Sequence, residues 1–400
     1  MEPYPHGASG GLAGRRGTVD PLLINTTTPL CMIKSTMNRR LLPLLLGALL
    51  AAGCAQDATV PIDQIQAPVV YTNHPNAGFS ATANEQELFL VDAASGQTWR
   101  LTSNGVRDEQ PVWSPDGTQL LFLSTRPVLG RTGGDALQLF RYDLGTGRVA
   151  HVDLDWAYYG SGPASPELPE DNMRILGWLE CVAWSPVDPT QVAIGVTVDT
   201  KMSDPPNIRV RRLVLLDLEE RTSRLIAPYK RNCNSLFWAP DGRYLAIADN
   251  NDFHYVDAET GEKHAITGDH VVNGDTVTGY SPVDWTASGD QLLVKGRAVV
   301  IRERELLRIS DSVYYTYNVR DHTWSERLAT MPHNHFAVGF APASSQPTPG
   351  DSLRFIVQRE EEGSFHSDLW LYGASGATEI RLTDDQMPKR DARPYHAPVP

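Results

Sequence analysis

The sequence contains no apolar run long enough to cross a bilayer as a helix. The longest is Leu41–Ala52 (LLPLLLGALLAA), whereas a membrane-spanning helix needs about 20 apolar residues. This absence excludes a protein held in the membrane by a bundle of helices. An apolar run of this length near the N-terminus is typical of a secretory signal peptide when positive charge precedes it.

The residues on either side of this run indicate a lipoprotein signal. Met37-Asn38-Arg39-Arg40 supplies a short positive region, and Ala51-Ala52-Gly53-Cys54 resembles the bacterial lipobox, in which small residues precede an acylated cysteine. We expect a signal peptide at 37–53, a lipid on Cys54, and an upstream extension of the reading frame at 1–36. The alternative is a buried apolar helix that ends at an incidental cysteine.

Positive charge is scarce. The chain has 35 Lys and Arg against 48 Asp and Glu, a net charge of −13, and without residues 1–53 the net charge is about −16. Nucleic acids and anionic lipid headgroups bind basic surfaces, so this composition excludes them as partners. We expect a monomer attached to the cell envelope by its lipid, on the periplasmic side of an outer membrane where one exists, otherwise on the outer face of the cell membrane.

The sequence also lacks the motifs of common catalytic and cofactor sites. It has no G-x-S-x-G, H-E-x-x-H, P-loop or G-x-G-x-x-G pattern. We therefore expect neither an enzyme nor a bound cofactor or metal ion.

An internal repeat organises residues 68–400. Its clearest copy is Pro111–Gly117 (PVWSPDG), which a short apolar strand sequence follows. The copies recur every 47 to 71 residues, which leaves room for four strands in each. The residues taken as equivalent in the six copies are Trp113, Trp184, Trp238, Trp285, Phe340 and His396.

A second repeated element lies between these positions. It alternates apolar and polar residues, turns at Gly, Asp or Asn, and alternates again, which predicts a β-hairpin with one buried face. Four antiparallel strands in each of six repeats predict an all-β, six-bladed β-propeller. The copies of the hairpin are 88–102, 137–152, 211–226, 252–267, 313–328 and 368–383.

The two ends of the repeat region complete one blade. The region begins with a lone strand at 68–72, and the chain stops soon after the sixth repeat position. We expect residues 392–397 to pair with that first strand and close the ring without an open edge. Residues 54–67 form a polar tether between Cys54 and the propeller.

These repeat units resemble the WD40-like repeats of the TolB family, which belongs to the periplasmic Tol–Pal system, and of related bacterial propellers. The resemblance covers roughly 88–400 and is strongest at 111–127 and 236–250. It implies the fold and an envelope location, while the motif residues themselves are structural. TolB also has an α/β domain ahead of its propeller, for which the dozen residues after Cys54 leave no room.

Two cysteines, Cys181 and Cys233, lie near the innermost strands of neighbouring repeats. An oxidising compartment permits a disulfide between them. A bridge requires Cα atoms within about 7 Å, and neighbouring inner strands can lie farther apart. The pair is therefore either a disulfide or two separate thiols.

The long connections between strands fall on one face of the predicted propeller, here called the long-loop face. Long loops on a rigid scaffold commonly carry binding residues. The longest, 153–180, contains aromatic side chains suited to protein or carbohydrate contacts, or to covering the channel as a plug. The predicted contact residues are Trp156, Tyr158, Tyr159 and Trp178, and the long connections are 126–136, 153–180, 199–209, 268–280, 295–311 and 359–367.

Polar residues at the start of each innermost strand are expected to surround the channel mouth on that face. Carboxylates and imidazoles could hold a cation there, and solvated polar side chains are the alternative. His333 and His335 would share one strand face. The predicted mouth residues are Asp108, Glu109, Glu180, Asn234, His333, His335 and Asp391.

Two functions remain open besides that of a structural subunit in an assembly such as outer-membrane biogenesis. The first is a non-catalytic scaffold that binds another envelope protein or an extracellular polysaccharide through the long-loop face. The second is a propeller-type polysaccharide lyase or hydrolase that uses the His, Asp and Glu side chains of the mouth, which requires an acid and a base within hydrogen-bond reach of one point.

Overall fold

The structure is a computed structural model, and contacts divide the chain into two units, 1–54 and 55–400. Every described residue belongs to the second unit, and no helix among them is long and apolar enough to cross a membrane. Cys54 and the predicted signal peptide lie outside the described residues. These are 59–73, 86–128, 137–154, 177–200, 208–229, 233, 235–249, 252–266, 270–272, 275–302, 305–342, 345, 353–362, 364, 366–375, 379–385 and 387–396.

One turn of 3-10 helix, Ile62–Gln64, precedes a series of antiparallel strands. The strands of the first half are β1 (Pro68–Asn73), β2 (Glu87–Asp92), β3 (Thr98–Arg100), β4 (Asp108–Trp113), β5 (Gln119–Ser124), β6 (Gln138–Asp143), β7 (Arg148–His151), β8 (Gly177–Trp184), β9 (Gln191–Thr200), β10 (Ile208–Asp217), β11 (Thr222–Tyr229) and β12 (Ser235–Trp238). Those of the second half are β13 (Tyr244–Asp249), β14 (Asp252–Asp257), β15 (Lys263–Ala265), β16 (His270–Val272), β17 (Asp275–Trp285), β18 (Gln291–Arg302), β19 (Glu305–Asn318), β20 (Thr323–Trp324), β21 (Ala329–Met331), β22 (His335–Phe340), β23 (Arg354–Glu360), β24 (Ser367–Gly373), β25 (Glu379–Arg381) and β26 (Lys389–Pro394).

The strands form six antiparallel sheets, which confirms the six-bladed propeller. From the channel outwards, blade 1 is β26-β1-β2-β3, blade 2 is β4 to β7, blade 3 is β8 to β11, blade 4 is β12 to β15, blade 5 is β17 to β20 with β16 and β21 added, and blade 6 is β22 to β25. The innermost strands contact one another in the closed order β26, β4, β8, β12, β17, β22 and back to β26.

Pairing of β26 with β1 closes the ring, as the ends of the repeat region predicted. Val69 lies opposite Pro394 and Asn73 opposite Lys389, so the closing strand begins and ends before the predicted 392–397. Pro394 therefore occupies the position that Trp113 occupies opposite Leu120 in blade 2. The sixth repeat position is thus Pro394 and not His396, because Tyr395 and His396 already lie in the segment equivalent to the turn.

Tryptophan side chains join neighbouring blades at the end of the channel where the short turns lie, here called the short-turn face. The indole Nε1–H of Trp238 donates to the carbonyl of Ala183 in the preceding blade, at 3.2 Å. Trp285 donates to Phe237 in the same way at 3.2 Å, and Trp113 donates to Arg393 at 2.9 Å. Each bond satisfies a polar atom that packing between blades would otherwise leave without a partner.

The turn glycines fit against the preceding blade at the same face. Gly242 has φ +74°, and a Cβ at this residue would lie 2.4 Å from Val187 Cγ2. Gly117 has φ +69°, and a Cβ there would lie 2.8 Å from the Tyr395 ring. The Asp-Gly turn is therefore required both for its backbone conformation and for close contact between blades.

Several long connections are strands, contrary to the prediction that they are loops. Strands β18 and β19 cover most of 295–311 and pair as far as Arg302 opposite Glu305. Strands β16 and β17 cover most of 268–280, and β9 and β10 extend into 199–209. The β-branched residues of Val299–Ile301 favour an extended strand there.

The end of the predicted tether packs on blade 2. The Val60 amide donates to the Leu144 carbonyl at 3.0 Å, and Val60 is buried with Ile62 and Ile65 beside it. The Ala67 amide then donates to Asp92 at 2.8 Å just before β1 begins. Within 54–67, the segment from Val60 onwards is part of the packed domain.

Cys181 and Cys233 form a disulfide that joins blade 3 to the segment before β12, with Cα atoms 5.7 Å apart. A bulge in β8 between Leu179 and Cys181 changes the direction of the Cys181 side chain. Gly195, opposite Cys181, makes room for it, because a Cβ at Gly195 would lie 2.5 Å from the Cys181 sulfur. Cys181 lies three residues before Trp184 and Cys233 lies five before Trp238, and this two-residue offset is therefore compatible with a bridge.

His254 is a fully buried histidine on β14, opposite Ile247. Among the described residues, neither of its ring nitrogens has a hydrogen-bond partner. Burial, with a smaller contribution from Lys263, lowers the pKa of His254 to about 3. The imidazole is therefore neutral in the folded protein throughout the physiological range.

This burial predicts an acid-dependent loss of stability. The unfolded chain binds a proton at His254 below its ordinary pKa of 6.5, and the folded chain does so only near 3, so stability falls as the pH falls through that window. His254→Leu removes this linkage. The free energy of unfolding of the variant, taken relative to that of the native chain, should therefore be about 2 to 3 kcal/mol higher at pH 4.5 than at pH 8.

Denaturant unfolding at both pH values measures the difference. His366→Leu, at a partly exposed histidine, is the matched control and should show no comparable gain. If the difference in unfolding free energy between the native chain and His254→Leu were the same at pH 8 as at pH 4.5, that result would contradict the burial of a neutral imidazole.

Candidate binding site in the central channel

A cavity of about 170 Å³ opens into the channel at the short-turn face. Its walls come from the residue that precedes the Trp position in five of the six innermost strands, together with the Trp rings and the turn prolines. These preceding residues are Val112, Ala183, Phe237, Asp284 and Arg393, and in blade 6 the equivalent residue is Gly339. We call this space the channel cavity.

The aromatic walls are held in place by the links between blades. Trp113, Trp238 and Trp285 line the cavity, and each has its indole N–H bonded to a backbone carbonyl. Trp184 also lines it, but donates to Pro189 within its own turn at 2.9 Å. The cavity is therefore preformed, with flat apolar faces.

Arg393 is the cationic side chain of this cavity. Its guanidinium carbon lies 4.0 Å from the centre of the Phe237 ring, a cation–π contact. Burial in the channel lowers the pKa of Arg393, although the charge is retained because arginine does not deprotonate in proteins. Among the described residues, no hydrogen-bond acceptor or carboxylate pairs with the guanidinium.

Asp284 and His396 join blades 5 and 1 across blade 6. Asp284 Oδ2 accepts a bond from the Phe340 amide at 3.0 Å and lies 3.1 Å from His396 Nε2. Gly339 permits this approach, since a Cβ there would lie 2.9 Å from both Asp284 and Pro394. Burial opposes protonation of His396, but the Asp284 carboxylate outweighs it and raises the pKa of His396.

Two of the predicted mouth residues come together at the other end of the channel. Glu109 is buried and bonded to Arg107 at 2.6 Å, and Asp391 Oδ2 lies 3.4 Å from the Gln110 amide. Burial raises the pKa of Glu109, Arg107 opposes the shift, and the negative charge of Asp391 adds to it. Gln110 and Asp391 both have positive φ, at bulges in β4 and β26.

Other predicted mouth residues are engaged by neighbouring side chains and backbone. Asp108 is buried and accepts bonds from Ser124 at 2.5 Å and Arg126 at 2.9 Å. Glu180 accepts bonds from Thr197, from Arg211 at 3.1 Å, from Tyr229 at 3.0 Å and from the Cys233 amide at 2.8 Å. These carboxylates stabilise the blades.

The two histidines do not share a strand face. His333 lies in the exposed turn before β22, and His335 begins that strand, where it is buried beside Asn334 at 2.8 Å. Burial, with smaller contributions from Arg359 and His333, lowers the pKa of His335. Among the described residues, no three His, Cys, Asp or Glu side chains lie close enough together to hold a metal ion.

The predicted aromatic contacts of the long-loop face lie mostly beyond what the structure describes. Trp156, Tyr158, Tyr159 and Asn234 fall outside the described residues. Trp178 is 41% exposed at the start of β8, where a partner could reach it.

Comparison with known proteins supports the fold. No family model matches the chain. TolB from Acinetobacter baumannii aligns with a TM-score of 0.50 at 13% identity, over 82% of this chain and 66% of that one. An oligogalacturonate lyase in complex with manganese aligns with a TM-score of 0.45 at 14% identity, over 82% of each chain.

One curated sequence is also similar. It is a component of the eukaryotic translation initiation factor 3 complex of Yarrowia lipolytica, 31% identical over 143 residues, 30% of this chain. The chain spans 20% of the length of that relative and 66% of the TolB chain. The likeness to TolB supports the propeller fold.

Three residues of the channel cavity did not stand out as functional from the sequence. Arg393, His396 and Asp284 each occupy a repeat position that holds an uncharged residue in most copies. Arg-Pro-Tyr-His at 393–396 replaces the Val-Trp-Ser-Pro of 112–115, and this departure was the available signal. This signal is hidden when His396, and not Pro394, is taken as the sixth repeat position.

The Asp284–His396 pair predicts a shifted titration. Asp284→Asn keeps an acceptor oxygen but removes the negative charge, so the pKa of His396 should fall to below its value in the native chain. NMR titration of labelled histidine measures it, with His396→Gln to assign the signal. An unchanged pKa would contradict the pairing, provided the melting temperature stays near that of the native chain.

Proposed function

We propose that this chain is a lipid-anchored scaffold of the cell envelope that binds another envelope component without transforming it. The observation that carries the proposal is the channel cavity, a preformed apolar space with a few polar side chains, which is typical of ligand sites. Its walls rest on bonds between blades and need no rearrangement to receive a ligand.

The state of the titratable side chains supports binding over catalysis. An acid and a base must both reach one reacting point. Asp108 and Glu180 instead bond to neighbouring strands, and His335 bonds to Asn334. Asp284 is engaged by the Phe340 amide and His396.

One observation favours the alternative, a propeller-type polysaccharide lyase or hydrolase. Glu109 has a raised pKa and lies near a second carboxylate, Asp391, at the channel mouth. A carboxyl group whose pKa is raised by burial serves as the general acid in several enzymes. Cleavage of a polysaccharide by the native chain, but not by the Glu109→Gln variant, would establish this activity.

Photocrosslinking in the producing cell tests the scaffold role and identifies the face used. A photoreactive residue replaces Trp178 on the long-loop face, Ala287 beside the channel cavity, or Arg148 on the outermost strand of blade 2 as control. We expect one discrete adduct from Trp178 or Ala287 and none from Arg148. Adducts equal at all three positions, or absent from the first two, would contradict a specific partner.

A further inference from the structure

The size and shape of the channel cavity limit its ligand. Its volume of about 170 Å³ is close to that of a cavity of ~150 Å³ known to accept benzene. The rings of Trp113, Trp238 and Trp285 face it, and Phe237 lies beneath Arg393. The space accepts one flat or branched apolar group, about the size of a single side chain.

Arg393 adds a charge requirement. A guanidinium has five N–H donors, and within the described part of the chain none of those of Arg393 is bonded. A partly buried cation that keeps only a cation–π contact loses hydration without full compensation. A ligand carboxylate would supply two parallel hydrogen bonds to it.

The protein's own carboxylates do not meet this requirement. Asp284 is engaged by the Phe340 and Trp285 amides and by His396. Asp391 lies near the Gln110 amide and the Thr72 hydroxyl. Both attract Arg393 through space, yet neither forms an ion pair with it.

We propose that the channel cavity binds a carboxylate joined to an apolar group, presented by a partner protein as a chain terminus or an acidic residue beside an apolar one. This rests on the scaffold function proposed above and names the chemistry that the scaffold recognises. The lining favours a protein over a uronic acid because its polar groups are too few for the hydroxyls of a sugar ring. They are Arg393, Ser114, the Asp284–His396 pair and Tyr395, whose hydroxyl already donates to the Pro115 carbonyl.

Binding of small probes to the purified mature protein tests this chemistry. Benzoate carries a carboxylate on a flat ring, and benzamide is its uncharged counterpart. Titration followed by indole NMR signals should show saturable binding of benzoate that shifts Trp113, Trp238 and Trp285. Benzamide should bind about tenfold more weakly or worse.

Variants connect the binding to Arg393. Arg393→Gln should weaken benzoate binding about tenfold or more and leave benzamide binding unchanged, while Arg393→Lys should restore part of the affinity. Arg243→Gln is the matched control, since Arg243 also lies over an aromatic ring, at 4.8 Å from the Tyr244 centroid, but outside the cavity. Melting temperatures confirm that each variant folds.

The remaining experiments distinguish a protein ligand from a sugar ligand, and they test the carboxylate site separately from the scaffold role. N-acetyl-phenylalanine should compete with benzoate, and tighter competition by galacturonate would overturn the assignment to protein. Equal affinity of the native chain and Arg393→Gln for benzoate would overturn the carboxylate site itself. In that case an adduct from Ala287 or Trp178 in cells would still support the scaffold, so the two proposals fail separately.

Discussion

Tryptophan side chains on the innermost strands form hydrogen bonds across the boundaries between blades. Each of these indole N–H groups donates to a backbone carbonyl of the preceding blade, namely that of the residue just before the Trp position. Trp113, Trp238 and Trp285 repeat this bond at three boundaries. Each such bond is worth about 1 kcal/mol net, but an unbonded indole buried there would cost more. The bond therefore sets the distance and angle between blades, and with them the width of the channel at the short-turn face.

The same constraint explains why the cavity is asymmetric. Phe340 and Pro394 occupy the Trp position in blades 6 and 1 and carry no side-chain donor. There, Asp284 and His396 join the blades instead. Because the Asp284 carboxylate is engaged in this closure, Arg393 remains in the channel with an aromatic ring and no counter-ion among the described residues.

The repeat spacing and the period-two hairpins were sufficient to predict the six blades and the closing strand, because burial between blades determines both. The position of Pro394 required the strand register, because Pro394 lies opposite Val69, whereas the repeat alignment had placed His396 at this position. Likewise, Asp108 and Glu180 could be placed on the innermost strands from the sequence. Their bonds to Arg126 and Arg211 could not, because Arg126 lies in the connection after β5 and Arg211 lies on β10.

Hydrogen exchange of the indole N–H groups tests most directly whether bonds between blades hold the channel together. The signals of Trp113, Trp238 and Trp285 should exchange only with global unfolding of the propeller, because opening any one of them separates two blades. Trp184, which is bonded to Pro189 in its own turn, should exchange faster through local opening. Exchange of all four indoles at the same fast rate would contradict this account of the structure.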